Sequence, residues 1–373
     1  MPTTNFTALT TNEKKVHSLE FWKMARNASF LNMFAGKGGN SMVQRITELT
    51  KSERGEQAVM TLIADLTGDG VMGDYTLEGN EEAIKAYDTQ VKIDQIRNGN
   101  RTAGRMANQA SVVDFRSTSK DQLAYWLGDR LDQLGFLALA GEAFTKTNTG
   151  GTRPVLAAGQ NFSDLAFAAD VTAPSSARHI RWDAAASDLA AGDTTAVVAG
   201  DTLTYQALVL AKAYAKNQYI RGIKAGNNEE IFHVFVNPSC MAKLKLDADY
   251  LANVRSAGVR GGKNPLFAGT TSVMVDGMII HEFRHVYNTV GAAGGSKWGA
   301  TGVVDGSRVA FCGAQSLGLA DIGPAGWFEK EFDFDNQKGI AIDKICGILK
   351  PVFHSNVTGD DQDFGVLSLD VAL

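Results

Sequence analysis

The chain has 373 residues, 44% of them apolar and 21% charged, with a formal net charge of -5. That length buries a substantial core and allows two or three domains, while the charge argues against a dedicated nucleic-acid binder, which would carry a basic face. No eighteen apolar residues run together, the N-terminus lacks the apolar core of a signal peptide, and three scattered cysteines form neither a disulfide framework nor a zinc motif. The expectation is a soluble protein made in a cytoplasm, with Cys240, Cys312 and Cys346 as buried thiols.

Residues 1–51 carry little apparent core. A short patch holds Leu19, Phe21, Trp22 and Met24, and a glycine-rich break follows at 36–39. Seven Lys or Arg against three acidic residues give this arm about +4, so Trp22, Lys23 and Arg26 are candidates for contact with another subunit. Residues 52–82 have the opposite balance, eight Asp or Glu against Arg54 alone. Ala58 to Leu66 reads as a strand, Gly68, Gly70 and Gly73 as a wide turn, and Tyr75 to Leu77 as the start of a return strand. Charge complementarity makes Asp65, Asp69, Asp74, Glu78 and Glu81 the expected partners of such an arm on a neighbour. Asp65, Thr67, Asp69 and Gly70 also imitate a calcium loop, but Thr76 stands where the bidentate Glu belongs. Asp65, Asp69 and Asp74 are therefore only a weak metal alternative.

Tyr87 to Ile96 alternates as a half-buried strand does. The clearest element follows, an amphipathic helix over 119–144 with Ser119 and Gln122 as a capping box. Leu123, Trp126, Leu127, Leu131 and Leu134 form its core stripe, while Asp121, Asp129, Asp132 and Gln133 are assigned to the other face. At about 1.5 Å per residue it reaches roughly 39 Å, long enough to brace an extended molecule. Residues 145–202 read as turns and loops. Beyond them the pattern predicts a helix from Thr202 to Asn217 opened by Asp201, a strand from Ile231 to Val236, and a helix starting at Pro238. A hairpin is expected around Asp276-Gly277, then strands at 307–312, 328–334, 339–353 and 366–371.

His281 to His285, HEFRH, matches the zinc-protease pattern, whose chemistry requires a helix to set both His on one face. Here the letters follow Asp-Gly and a β run. On a strand the two His would lie about 13 Å apart, too far to share a metal. No nucleophile elbow or dinucleotide fingerprint appears, so the chain is read as a non-enzyme without a cofactor or bound metal.

The order of parts, together with LTGDGVMGDYTLEGNEEAIKAY, VKIDQIRNGNRTAGRM and LAYWLGDRLDQLGFLALAG, resembles the major capsid proteins of tailed bacteriophages, the Hong Kong 97 fold, and more narrowly the capsid family of phages akin to coliphage N-four. GDTLTYQALVLAKAYAKN, VFVNPSCMAKLK and VDGMIIHE are similar in order to that fold's axial domain. The resemblance implies an α+β chain with an N-terminal arm (1–51), an extended loop (52–82), a peripheral domain (83–146 and 326–373) and an axial domain (147–325). It implies hexamers and pentamers closing into an icosahedral head around double-stranded DNA held without sequence specificity. The partners implied are a separate scaffolding protein, since only about fifty residues precede the loop, a portal and a decoration protein, with assembly in the host cytoplasm and no membrane. Because residues 52–84 contain no Lys, the shell is expected to be non-covalent. The alternatives are a calcium-binding surface module and a zinc metalloprotease.

Overall fold

The helix Phe115–Ala140 runs through the centre of the computed structural model, which describes residues 24–25, 28–47, 55, 57–63, 66, 68–111, 114–155, 159–225, 229–256, 272–355 and 359–373. It has the expected 26 residues but lies four positions earlier than the expected 119–144. Asp114 caps it, accepting the Ser117 N–H at 2.9 Å, and Ser119 is buried inside the helix. Gly141 ends it at φ 67°, a left-handed conformation that a side chain disfavours.

Leu123, Leu127 and Leu134 are buried, and Trp126 and Leu131 are half-buried against the same clusters. Asp132, assigned from the sequence to the polar face, is buried instead. From Leu134 to Ala140 every residue is buried, so the helix loses its exposed face in its second half. There it is enclosed by side chains from both main sheets, including Phe235, Ala310, Leu317 and Ile348.

One sheet has six strands. In spatial order Ala35–Gly36, Val43–Ile46, Leu317–Asp321, Gln337–Leu349 and Gly326–Phe332 follow one another, and Asp94–Arg101 also pairs with Gln337–Leu349. The other sheet has eight. Its order is Ser272–Val275, Met278–Glu282, Glu230–Val236, Gly306–Cys312, Val366–Ala372, His179–Asp183 and Asp188–Ala191, with Ile223–Lys224 on Glu230–Val236. The helices Tyr205–Asn217 and Pro238–Leu246 lay Ala207, Leu208, Ala211, Met241 and Leu244 into this sheet's core. Thr204, not Asp201, caps the first of them, through the Ala207 N–H. Asp276 and Gly277 both adopt positive φ, as the predicted two-residue hairpin turn demands.

Two strands near the C-terminal end join sheets that are not those of the strands preceding them in sequence. Leu317–Asp321 sits in the sheet of Gln337–Leu349, and Val366–Ala372 is an interior strand of the other sheet. Seven paired positions on Gly306–Cys312 and complete burial explain why that strand is drawn there. The arm also contributes core, since Ala25, Leu31, Met42, Val43 and Ile46 are all buried. His179–Asp183 and Asp188–Ala191 fall in the stretch read as loop. The three cysteines are free and buried, and burial pushes their thiols up to about 12. Among the described residues no helix is long and apolar enough to cross a membrane.

Candidate assembly surfaces

Gln57–Ile63 and Ala86–Lys92 pair antiparallel over seven positions, from Gln57 opposite Lys92 to Ile63 opposite Ala86. The return strand is therefore Ala86–Lys92, and Tyr75 to Leu77 belongs to the turn. Tyr87 to Ile96, expected as one strand, is split at Ile93: its first part closes this hairpin and its second enters the six-stranded sheet. Ala58, Met60 and Val91 anchor the base against Ile46, Ala320 and Leu349. The alternate residues Val59 and Ile63 face solvent.

Beyond the ladder the tip is bare. Met72, Tyr75, Leu77 and Ile84 are 58–82% exposed, although such side chains are normally covered when they cluster. Asp69, Asp74, Glu78 and Glu81 are exposed among them. The Glu82 carboxylate accepts the Gly68 N–H at 2.6 Å and the Asn80 side chain donates to the Thr76 carbonyl, so the tip is braced by its own residues. Gly70, Gly73 and Gly79 supply its positive-φ positions. Asp65, Trp22, Lys23 and Arg26 lie outside the described residues, and among those described no three metal-binding side chains converge.

The base of the arm is fastened to the long helix by one carboxylate. Asp132 accepts hydrogen bonds from Ser29 Oγ at 2.7 Å, the Phe30 N–H at 2.7 Å and the Leu31 N–H at 3.0 Å. Burial holds its carboxyl above the usual range despite these donors. Two helix glycines let the arm approach. A Cβ on Gly128 would sit 2.9 Å from the Ala25 carbonyl oxygen, and one on Gly135 would collide with Leu31. Sequence reasoning places Asp132 on the polar face and passes over Gly128 and Gly135, although a Gly-x6-Gly spacing inside an otherwise good helix is a visible signal.

HEFRH lies just beyond this contact. His281 and Glu282 end a strand, and His285 is already in the following turn, so the motif is neither a helix nor a continuous strand. His285 Nε2 is 2.7 Å from Asp129 Oδ1, which also accepts from Arg284 at 2.9 Å. His281 instead contacts His233, Nε2 to Nδ1 at 2.9 Å. Burial and the neighbouring imidazole lower the His281 pKa to about 4, so the pair is neutral in ordinary conditions. Phe34 packs edge-on to both rings, and Phe30 stacks on Phe283 at 4.3 Å. These histidines are walls of an aromatic seat for the arm.

A buried ionic seam joins the end of the helix to the eight-stranded sheet. Arg308 Nε donates to Asp370 Oδ1 at 2.8 Å, and its Nη1 donates to the Ala140 carbonyl at 2.7 Å and to Glu142 at 3.1 Å. His179 Nε2 lies 2.7 Å from the other Asp370 oxygen. Burial alone would raise the Asp370 pKa, but the Arg308 charge and the hydrogen bonds hold it below the usual range. A cation on the last carbonyls of a helix also complements its dipole. The arrangement fixes geometry; its polar atoms are consumed by one another.

Among the described residues the base of the arm is thus held on the long helix, while an acidic, apolar hairpin tip stands bare. A sequence profile of the phage capsid protein family matches residues 5–373. The major capsid protein of Pseudomonas phage KPP25 is 55% identical over 371 residues, 99% of this chain and 97% of that protein. Among solved structures, the capsid of Ralstonia phage GP4 superposes with a TM-score of 0.71 at 25% identity, covering 91% of this chain and 89% of that one. The capsid asymmetric unit of cyanophage Pam1 gives 0.70 at 21% identity over 91% of each chain. The fold is therefore the α+β Hong Kong 97 type, and the chain belongs to the phage capsid protein family.

Proposed function

We propose that this major capsid protein closes, as hexamers and pentamers, into an icosahedral head around double-stranded DNA, and that its bare hairpin tip is a contact between neighbouring subunits. The observation that carries the reading is the tip itself. Exposed Met72, Tyr75, Leu77 and Ile84 stand among four carboxylates on a two-stranded stalk, a combination suited to a partner surface that is both apolar and basic. A separate scaffolding protein, a portal and a decoration protein complete the assembly in the host cytoplasm. The DNA is held without sequence specificity. The chain acts as a structural subunit and not as an enzyme, and it uses no cofactor.

On this reading the peripheral unit comprises the long helix and the six-stranded sheet, including Leu317–Asp321, and the axial unit comprises the eight-stranded sheet, including Val366–Ala372. The extended loop is 57–92, longer than the 52–82 expected, because Ala86–Lys92 is its return strand. This wider loop contains Lys85, exposed at the base of the tip, and Lys92, bonded to Asp170 at 2.6 Å. The acidic tip itself remains free of Lys. The shell is held by non-covalent contacts: boiled particles run as a monomer on a denaturing gel, and a ladder of linked subunits contradicts this.

Replacing Asp69 and Asp74 with Asn tests the role of the tip. Surface substitutions cost within about 0.5 kcal/mol, so thermal unfolding of the free subunit stays unchanged. The yield of closed shells by sedimentation falls. Loss of folding instead would make the hairpin part of the core, and normal shell yield would remove these carboxylates from assembly.

A further inference from the structure

His233 and His281 form the polar floor of the seat that receives the arm. Glu230–Val236 and Met278–Glu282 run parallel, with Phe235 paired to His281 and His233 to Ile279, so both imidazoles share one face of the sheet. Their nitrogens meet at 2.9 Å and their ring centres lie 5.1 Å apart. Phe235 stacks on His281 at 5.3 Å. From the arm, Phe34 sits 4.9 and 5.0 Å from the two rings, and Phe30 lies 6.1 Å from His281. A neutral pair fits this geometry, one imidazole donating to the other. An added proton puts a cation between arm and sheet, among aromatic rings.

The charged and titratable groups on the surrounding elements are engaged elsewhere. Cys312, paired to His233 on the adjoining strand, is a thiol that burial keeps neutral. Glu282 points to the other side of its strand and lies 3.7 Å from Lys245. On the long helix, Asp129 holds His285 and Arg284, and Asp132 holds the arm's own N–H groups. Arg45, just after the arm's turn, lies 3.6 Å from Asp321. Burial disfavours a charge on either imidazole, and no carboxylate among the described residues offsets it.

We propose that this pair is a proton-operated catch: protonation of His233 or His281 unseats Phe30 and Phe34 and frees the arm segment 28–36 from an otherwise folded body. The catch belongs to the single subunit and does not depend on the shell reading. Release opens both rings to water and returns His281 toward its ordinary value of about 6.5, whereas the held state keeps it at about 4. Between those values the released state binds more protons. The seat's contribution is therefore complete above about 6.5 and is lost as pH falls toward about 4. One imidazole with these two values makes release about twentyfold more favourable at pH 5 than at pH 7. Asp132 pulls the other way, because its carboxyl is raised in the held state and takes up its proton there.

The test is hydrogen exchange on the full-length chain at pH 7 and pH 5, expressed as protection factors. In the wild type, protection at the Phe30 and Leu31 amides falls about tenfold or more at pH 5, while that of Gly306–Cys312 holds. H233N/H281Q, which keeps a neutral donor and acceptor in the seat, abolishes the fall. H285Q, which alters the neighbouring contact with Asp129, retains it. Unchanged wild-type protection overturns the proposal, as does a fall shared by Gly306–Cys312, an equal fall in H233N/H281Q, or its loss in H285Q. Should H233N/H281Q lose protection throughout, proton NMR of the wild-type imidazoles decides. Rings that titrate in step with the Phe30 and Leu31 amides uphold the catch, and rings that stay neutral while the arm opens overturn it.

Discussion

Replacing Arg308 with Met lowers the stability of the subunit by about 3–5 kcal/mol, measured as the fall in unfolding free energy from denaturant titration. The cost comes less from lost attraction than from what is left behind. Asp370 is fully buried, and without Arg308 its one remaining ion-pair partner among the described residues is His179. The Ala140 carbonyl at the helix end loses its donor in the same step. Removing the orphan as well, in the pair Arg308→Met with Asp370→Leu, recovers a large part of the loss, since apolar replacements of a buried pair are often close to neutral. The seam also has a definite pH dependence. Because the folded Asp370 pKa lies below its unfolded value, its contribution is complete above the normal carboxylate range and disappears as pH falls through the depressed folded value. Wild type therefore loses stability on acidification more steeply than the double variant. Parallel pH curves would show that Asp370 is not the ionised member.

Replacing Asp132 with Ala releases the base of the arm while leaving the two sheets folded. Two backbone N–H groups and the Ser29 hydroxyl lose their acceptor together, and each buried unsatisfied donor costs about 1–3 kcal/mol. The arm segment 28–36 holds to the body through this carboxylate, the Phe30 and Phe34 seat, and short pairing with Val43–Ile46. Hydrogen exchange at the amides of Phe30 and Leu31 rises by orders of magnitude, while those of Gly306–Cys312 stay protected. Gly128→Val gives the same pattern by steric means, because the added Cβ meets the Ala25 carbonyl. Uniform loss of protection in both variants would mean that the arm is not separable from the core.

The comparison between residues and structure divides along a physical line. Elements with a strong local signal were legible: the length of the long helix, the Asp276-Gly277 turn, Pro238 at the head of its helix, and the buried strand at 366–372. Elements defined by a distant partner were displaced. Tyr75 to Leu77 has the composition of a strand, yet the partner of Gln57–Ile63 is a run more than twenty residues away, and nothing local records that choice. Asp132 looked solvent-exposed because helical periodicity assigns faces with reference to a single core. Here the arm covers the opposite side and supplies three donors. HEFRH misleads for the same reason: its histidines are placed by an ending strand and by Asp129, not by helical spacing.

The central claim, that the chain is a shell subunit whose hairpin tip joins neighbours, is tested most directly by electron cryomicroscopy of particles formed by the wild-type chain. The account predicts closed icosahedral shells in which density for residues 68–84 of each subunit lies on an adjacent copy. Shells in which that tip projects into solvent, or preparations containing only isolated subunits, would contradict it.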